Sequence, residues 1–130
     1  MRTSIQPLFK WTGSKQRMLE QYQDKFYPQY PFPRFVDLFA GALTNTLQVH
    51  EMYPDVELVI NDFNSELIQL YRDIADNEHE VVSTWEECVA TWLDLDKAGR
   101  KEYYYKLRDI YCLEYKDKEQ TLLSGILLFM

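Results

Sequence analysis

Two short apolar segments constrain the fold of this chain more than any other feature. Residues 35–41 (FVDLFAG) and residues 58–63 (LVINDF) are apolar runs that end in glycine or in polar residues. Such runs are typical of strands that are buried in a parallel sheet and meet a loop on the ligand side. Residues 42–54 between them have the pattern of a helix. The order strand, helix, strand predicts one βαβ unit, which is almost always right-handed.

The residues that follow the two predicted strands indicate a ligand. Gly41 comes after the first strand, where a glycine lets the backbone approach a bound molecule closely. Asp62 ends the second strand, and an acidic residue at this position can hold ribose hydroxyls. The unit therefore has the pattern of half of a nucleoside-cofactor site.

Length and composition narrow the class of protein. A chain of 130 residues with 46% hydrophobic content predicts one domain with a packed core. No segment approaches the roughly 20 apolar residues of a membrane span, and the first residues lack the apolar core of a signal peptide. Cys88 and Cys112 are isolated cysteines without CxxC spacing, so reduced thiols are favoured over a disulfide or a metal site. We expect a cytoplasmic protein without a metal.

The charge distribution gives no basic surface at the level of totals. Residues 1–65 contain six Lys/Arg and seven Asp/Glu, and residues 66–130 contain eight and fourteen. A protein that binds nucleic acid on its own usually has a basic footprint. Any contact with DNA must therefore come from local patches or from further sequence. A soluble acidic helical surface explains the second half equally well.

Most of the remaining chain has the apolar spacing of helices. Ser14 and Asn64 have N-cap side chains, and they precede the helices predicted over residues 15–26 and 65–74. Three more helices are expected over residues 81–95, 101–115 and 120–130.

The pattern changes from α/β to all-α near residue 75. This change predicts a cofactor-binding βαβ portion over residues 1–75 and a helical portion over residues 76–130, packed on or beside it in a single domain.

A short basic segment precedes the first predicted helix. Residues 10–15 (KWTGSK) place an aromatic ring, a glycine and two lysines at a helix N-terminus. Free N–H groups, the helix dipole and Lys15 together favour a carboxylate or a phosphate. The segment lacks the full spacing of a P-loop. Taken alone, it is better explained as an ordinary capped helix.

Three motifs occur in a fixed order along the chain: residues 10–15 (KWTGSK), 35–41 (FVDLFAG) and 61–71 (NDFNSELIQLY). Together they resemble the Dam (D12) class of DNA N6-adenine methyltransferases. Residues 102–109 (EYYYKLRD) also resemble the helix that follows the cofactor motifs in that family. The resemblance covers nearly the whole chain. It implies an α/β, Rossmann-like, S-adenosylmethionine-dependent methyltransferase fold, here truncated and with a helical C-terminal half.

The resemblance also implies which residues bind the cofactor, S-adenosyl-L-methionine. Trp11 and Lys15 would line its methionine end, with the loop of residues 37–41 around them. Asp62 would hold the ribose hydroxyls, and Phe63 would pack against the adenine. The full set implied to bind the cofactor is Trp11, Lys15, Asp37, Phe39, Gly41, Asp62 and Phe63.

Each of these residues also has a purely structural explanation. Asp62 and Asn64 could form only a helix cap, and Phe39 and Phe63 could be core aromatics. Trp11 could anchor the first helix.

Asp37 is expected to be buried because of its position in the strand. A buried carboxylate needs a partner, which could be a cofactor ammonium or a backbone donor.

The glycine loop departs mildly from the family pattern. Many members have a second glycine shortly after the first, whereas Ala42 and Leu43 follow Gly41 here. Ala42 is small enough for close backbone approach, and Leu43 is expected to point into the sheet–helix core. Cofactor binding is therefore expected to be retained or modestly weakened.

The family's catalytic motif, Asp-Pro-Pro-Tyr or a close relative, does not occur in this sequence. In the family, the Asp and the proline carbonyl accept hydrogen bonds from the adenine amine and aim it at the methyl group, while the Tyr stacks on the flipped base. The chain ends at Met130, where relatives continue. We therefore expect a truncated N-terminal, cofactor-binding part that contains no catalytic residue.

Three functions remain open at this point. The first is the S-adenosylmethionine-binding portion of a site-specific DNA adenine-N6 methyltransferase, inactive alone and acting on DNA only through a completed enzyme. The second is a catalytically dead, truncated relative that binds a protein through its sheet edge and acidic helices. The third is an unrelated nucleotide-binding or structural domain. The first two imply a second protein chain or self-association, and none implies a membrane.

Overall fold

The structure is a computed structural model that describes residues 7–9, 21, 32–114 and 120–130. The described part is mostly helical and contains a small sheet of two strands. It divides into two compact units, Met1–Ser65 and Glu66–Met130. The elements in chain order are β1 (Arg34–Asp37), α1 (Thr44–Met52), β2 (Glu57–Ile60), α2 (Ser65–Asp94), α3 (Lys97–Glu114) and α4 (Gln120–Phe129).

The first unit contains the predicted strand–helix–strand arrangement. β1 and β2 pair in parallel, with Arg34 opposite Glu57 and Asp37 opposite Ile60. α1 connects the strands and contacts both of them. The prediction of a βαβ unit is therefore confirmed. The strands are shorter than the apolar runs, since β1 ends at Asp37 and its loop already begins at Leu38.

The two faces of the sheet differ in burial. Asp37 lies on the face that carries α1, because its carboxylate is hydrogen-bonded to Thr46 of that helix. Val36 and Val59 are opposite each other on the other face and are 49% and 37% exposed. Parallel sheets are normally covered on both faces. The described residues thus leave one apolar face of this sheet open.

The second unit begins with a helix that is interrupted once. Asn77 has φ −140° and ψ 40° inside α2, so this element consists of two helical segments joined at a kink. The segments include the helices predicted over residues 65–74 and 81–95, which are confirmed as helical up to Asp94, and both segments extend further toward the kink than predicted. The predicted division of the chain into residues 1–75 and 76–130 stays a prediction.

The core of the second unit lies between its helices. Leu107 and Tyr111 are one turn apart on α3 and are both buried. They meet Cys88 of α2 and the apolar side of α4, and the buried cluster is completed by Leu123 and Ile126. The helices predicted over residues 101–115 and 120–130 are confirmed as far as the structure describes them, by α3 up to Glu114 and by α4 up to Phe129.

Helix α3 starts four residues earlier than the helix predicted over residues 101–115. Asp96 accepts a hydrogen bond from the backbone N–H of Gly99 through its Oδ1, at 2.8 Å. An aspartate that accepts from an N–H three residues later is an N-cap, and it fixes the first turn of a helix. α3 therefore begins at Lys97 rather than at Lys101.

α4 packs closely against α2 at small residues. A Cβ placed on Gly125 would lie 2.5 Å from the Cβ of Thr84 and 2.9 Å from the backbone oxygen of Val81. Next to this point, the buried Ser124 hydroxyl donates to Asp73 at 2.5 Å. The glycine allows the approach, and the buried hydrogen bond fixes the position of α4 along α2.

The two cysteines are free thiols. Cys88 is buried and Cys112 is exposed. Burial raises the pKa of the Cys88 thiol, which disfavours its reactive thiolate form. Among the described helices, none is both long enough and apolar enough to cross a membrane.

Candidate ligand site at the ends of the two strands

The loops that follow β1 and β2 are joined by backbone hydrogen bonds. The Asn61 N–H donates to the Asp37 carbonyl at 2.8 Å, and the Ala40 N–H donates to the Asn61 carbonyl at 3.0 Å. The Asn61 side-chain amide also donates to the Leu38 carbonyl, at 3.0 Å. The pairing thus continues beyond the strands. It brings the sequences after both strands to one edge of the sheet, as the βαβ pattern predicts.

Asp62 connects the two loops through its carboxylate. Its Oδ2 accepts from the Gly41 N–H at 2.9 Å, and its Oδ1 accepts from the Asn64 N–H at 3.0 Å. The second contact is the local turn that the structural explanation of Asp62 requires. The first contact reaches across to the other loop, so the residue does more than prepare a helix. Its role toward a ribose stays a prediction.

The loop after β1 contains two residues with left-handed backbone. Gly41 has φ 49° and Leu43 has φ 59°. Leu43 is the N-cap residue of α1 and makes no side-chain cap. Ala42 is 3% exposed and Leu43 is half-buried, so the smaller side chain occupies the tighter position. A left-handed conformation costs an L-residue about 1–2 kcal/mol, so Leu43 stores strain in this loop.

Replacing Gly41 with alanine tests this loop conformation. The left-handed backbone should cost alanine about 1–2 kcal/mol, and the reduced freedom of the unfolded chain should return up to about 1 kcal/mol. We expect the free energy of opening of residues 32–65, measured by hydrogen exchange, to fall by about 1 kcal/mol. Leu43→Gly is the matched control, because it removes a side chain from a left-handed residue and should not cause this loss. Equal protection in Gly41→Ala and the unmodified chain would contradict the left-handed assignment.

Asp37 is buried, as predicted, with 8% of its surface exposed. Its Oδ2 accepts from the Thr46 hydroxyl at 2.9 Å, and its Oδ1 accepts from the Phe39 N–H at 3.3 Å. The ion pairs found within the described residues are Arg34–Glu57 and Arg108–Asp109, so no cation there neutralises Asp37. A buried carboxylate of this kind fits a cationic ligand group.

Thr46 is a site residue that the sequence analysis missed. It is 4% exposed and lies on the side of α1 that faces the sheet. The available signal was a polar residue at a helix position expected to be apolar, because a threonine there needs a hydrogen-bond partner.

The two phenylalanines are not core residues. Phe39 is 84% exposed and Phe63 is 101% exposed. The alternative explanation of both as core aromatics is therefore wrong. Each ring belongs to a loop at the carboxyl end of a strand, and its role toward a cofactor stays a prediction.

Two residues of the implied site, Trp11 and Lys15, lie outside the described residues, and their roles stay predictions. Among the residues that are described, no group of three or more His, Cys, Asp or Glu side chains could hold a metal ion. The residues that the structure brings together are Asp37, Phe39, Gly41, Asp62 and Phe63, with Thr46 in addition.

The chain is similar to known proteins over nearly its whole length. Residues 11–129 match the family model described as D12 class N6 adenine-specific DNA methyltransferase. The chain is 34% identical over 109 residues to the Type II methyltransferase M1.LlaDCHI of Lactococcus lactis subsp. cremoris, which covers 82% of this chain and 33% of that protein.

Two further relatives are similar over comparable lengths. The chain is 25% identical over 108 residues to the Type II methyltransferase M.MjaIII of Methanocaldococcus jannaschii, covering 81% of this chain and 37% of that protein. It is 25% identical over 113 residues to the Type II methyltransferase M.CviBI of Paramecium bursaria Chlorella virus NC1A, covering 87% and 39%. The chain thus spans between 33% and 39% of the length of these curated relatives.

Proposed function

Because this chain belongs to the D12 class of N6 adenine-specific DNA methyltransferases, we propose that it is the S-adenosylmethionine-binding portion of a site-specific DNA adenine-N6 methyltransferase. Methyltransferases of this family use a methyl donor and act on DNA. The observation that carries the proposal is the placement of Asp37 and Asp62 at the carboxyl ends of two parallel, adjacent strands. This edge is where α/β sheets bind their ligands.

Asp62 has the acceptor capacity that ribose binding requires. Each carboxylate oxygen can accept about two hydrogen bonds, and each oxygen of Asp62 accepts one backbone N–H within the described residues. One acceptor site on each oxygen therefore remains for the two ribose hydroxyls. The exposed ring of Phe63 follows directly and supports the packing proposed against adenine.

Asp37 has the chemistry to receive the cationic part of the cofactor. The ammonium of the methionine moiety would neutralise a carboxylate that has only neutral donors in the described structure. Phe39 and Gly41 lie in the same loop. Trp11 and Lys15 are proposed at the methionine end as well, where Lys15 would attract the cofactor carboxylate. The bound cofactor would supply the methyl group, and this chain would hold and orient it.

Isothermal titration calorimetry on the full 130-residue chain tests the proposal. We expect saturable binding of S-adenosylmethionine. Adenosine triphosphate is the matched control, because it shares the adenosine group and lacks the methionine ammonium. Absence of S-adenosylmethionine binding would overturn the proposal. Tighter binding of the triphosphate would instead favour an unrelated nucleotide-binding domain.

The chain alone is expected to transfer no detectable methyl group to DNA. Its 130-residue sequence does not contain the Asp-Pro-Pro-Tyr motif that orients the adenine amine in the family. Its formal net charge of −7 also opposes the binding of DNA, which is a polyanion. Incorporation of labelled methyl groups into DNA, with saturating cofactor, measures this. A completed family enzyme is the positive control. Incorporation by the highly purified chain would contradict the prediction, whereas incorporation only after a second, motif-bearing chain is added would support completion in trans.

The open face of the sheet favours one second candidate, a catalytically inactive relative that binds another protein. Val36, Leu38 and Val59 expose apolar surface on or beside the two strands. Such surface is typical of sites that another chain covers. Restored methyl transfer on adding the motif-bearing chain decides for the enzyme portion, and stable association without transfer decides for the binding module.

A further inference from the structure

A buried hydrogen bond joins α1 to the end of β1 beneath the candidate site. The Thr46 hydroxyl donates to Asp37 Oδ2 at 2.9 Å, and the two residues are 4% and 8% exposed. The other described donor to this carboxylate, the Phe39 N–H, is more distant at 3.3 Å. Thr46 is therefore the closer of the two groups that hold the Asp37 side chain.

The contact uses the single proton of the threonine hydroxyl. In helices this hydroxyl commonly donates to a backbone carbonyl in the preceding turn. Here it donates to a carboxylate in a different element, which makes a charge-assisted hydrogen bond. A threonine side chain has two main rotamers in a helix, so α1 limits the hydroxyl to two positions, and the bond to Asp37 holds it in one of them.

The bond occupies Oδ2 from the helix side and leaves acceptor capacity elsewhere on the carboxylate. Each carboxylate oxygen has about two acceptor sites, and one on each is used in the described structure. A carboxylate fixed from one side in this way presents its remaining lone pairs in a defined direction. Pre-organisation of this kind lowers the cost of binding a charged group.

On the basis of the proposed function, we propose that Thr46 is a positioning residue, which orients the Asp37 carboxylate to receive the ammonium of the cofactor's methionine moiety. Thr46 does not itself contact the cofactor in this role. The alternative is that its hydroxyl only attaches α1 to the sheet. Because the amide oxygen of the Asp37→Asn variant can still accept from Thr46, the effect of Thr46→Val on affinity would then persist in that background.

The test measures cofactor affinity in a cycle of variants of the full chain. Thr46→Val keeps the shape and removes the donor, Thr46→Ser keeps the donor, and Asp37→Asn removes the charge. By calorimetry with S-adenosylmethionine, we expect Thr46→Val to weaken binding about tenfold, at the low end for a hydrogen bond to a charged group. Thr46→Ser should bind as the unmodified chain does. In the Asp37→Asn background, Thr46→Val should add less than about a twofold loss.

Each outcome has a separate meaning. If the unmodified chain does not bind the cofactor, the proposed function and this inference both fail. If it binds and Thr46→Val binds equally well, only the inference fails. The inference also fails if Thr46→Ser is as weak as Thr46→Val, or if Thr46→Val loses about tenfold in both backgrounds. If Thr46→Val does not fold, Thr46→Ser against Thr46→Ala asks the same question, because these variants differ only in the hydroxyl.

Discussion

Replacing Asp62 with alanine is expected to weaken S-adenosylmethionine binding by about 1.5–3 kcal/mol, the range for hydrogen bonds to a charged group. The substitution would remove the contacts that we propose between the carboxylate and the ribose hydroxyls. It would also remove the carboxylate that now accepts from the N–H groups of Gly41 and Asn64 at 2.9 and 3.0 Å. Both losses act in the same direction, because a loop that is no longer held in place must be ordered by the cofactor itself.

Calorimetry on the full chain measures this loss, with Asp55→Ala as the matched control. Asp55 is an exposed aspartate of the same unit that precedes β2, so its replacement changes the net charge equally without touching either loop. We expect Asp55→Ala to bind as the unmodified chain does. An unchanged dissociation constant in Asp62→Ala, with the fold intact, would remove Asp62 from the site.

The largest expected effect on stability comes from Gly125→Ala. The added Cβ would lie 2.5 Å from Thr84 Cβ and 2.9 Å from the backbone oxygen of Val81, closer than van der Waals contact allows. α4 must then move away from α2, which disturbs the buried Ser124–Asp73 hydrogen bond as well. We expect the free energy of unfolding to fall by about 3 kcal/mol, the upper part of the usual range for an overpacked core.

Urea denaturation followed by Trp fluorescence measures this change, since Trp85 and Trp92 both belong to the second unit. Gly99→Ala is the matched control. Its Cβ would come within 3.1 Å of Leu95 Cδ2 and 3.2 Å of Asp96 Oδ1, which are side-chain atoms that can shift. Because alanine also favours a helix, the stability of Gly99→Ala should stay within about 0.5 kcal/mol of the original. A Gly125→Ala chain as stable as the control would contradict the close packing of α4 on α2.

The order of elements could be predicted because the signals are local. The apolar runs around Val36 and Val59 indicated strands, and the spacing around Leu107 and Leu123 indicated helices. Each of these patterns depends on near neighbours in the sequence. The burial of Asp37 followed from its place in the first run. The start of α3 was placed late because the capping role of Asp96 was not recognised.

The features that were not predicted depend on groups far apart in the chain or on backbone angles. The Thr46–Asp37 and Asp62–Gly41 hydrogen bonds form only once α1 and both loops are in place. The exposure of Phe39 and Phe63 could not be separated from core packing by residue type, because aromatic residues serve in both places. Likewise, the local sequence around Gly125 does not indicate that α2 is the helix that packs against it.

The left-handed Leu43 has a consequence for how this chain tolerates mutation over evolutionary time. Proteins with about 5–15 kcal/mol of stability lose function when several small losses accumulate, so about 1–2 kcal/mol stored in one residue is a sizeable share of the margin. A lineage that acquires glycine or asparagine at this position would accept destabilising changes elsewhere that the present sequence does not accept. The loop after β1 thereby influences which substitutions the rest of the molecule can sample, including residues that never contact it.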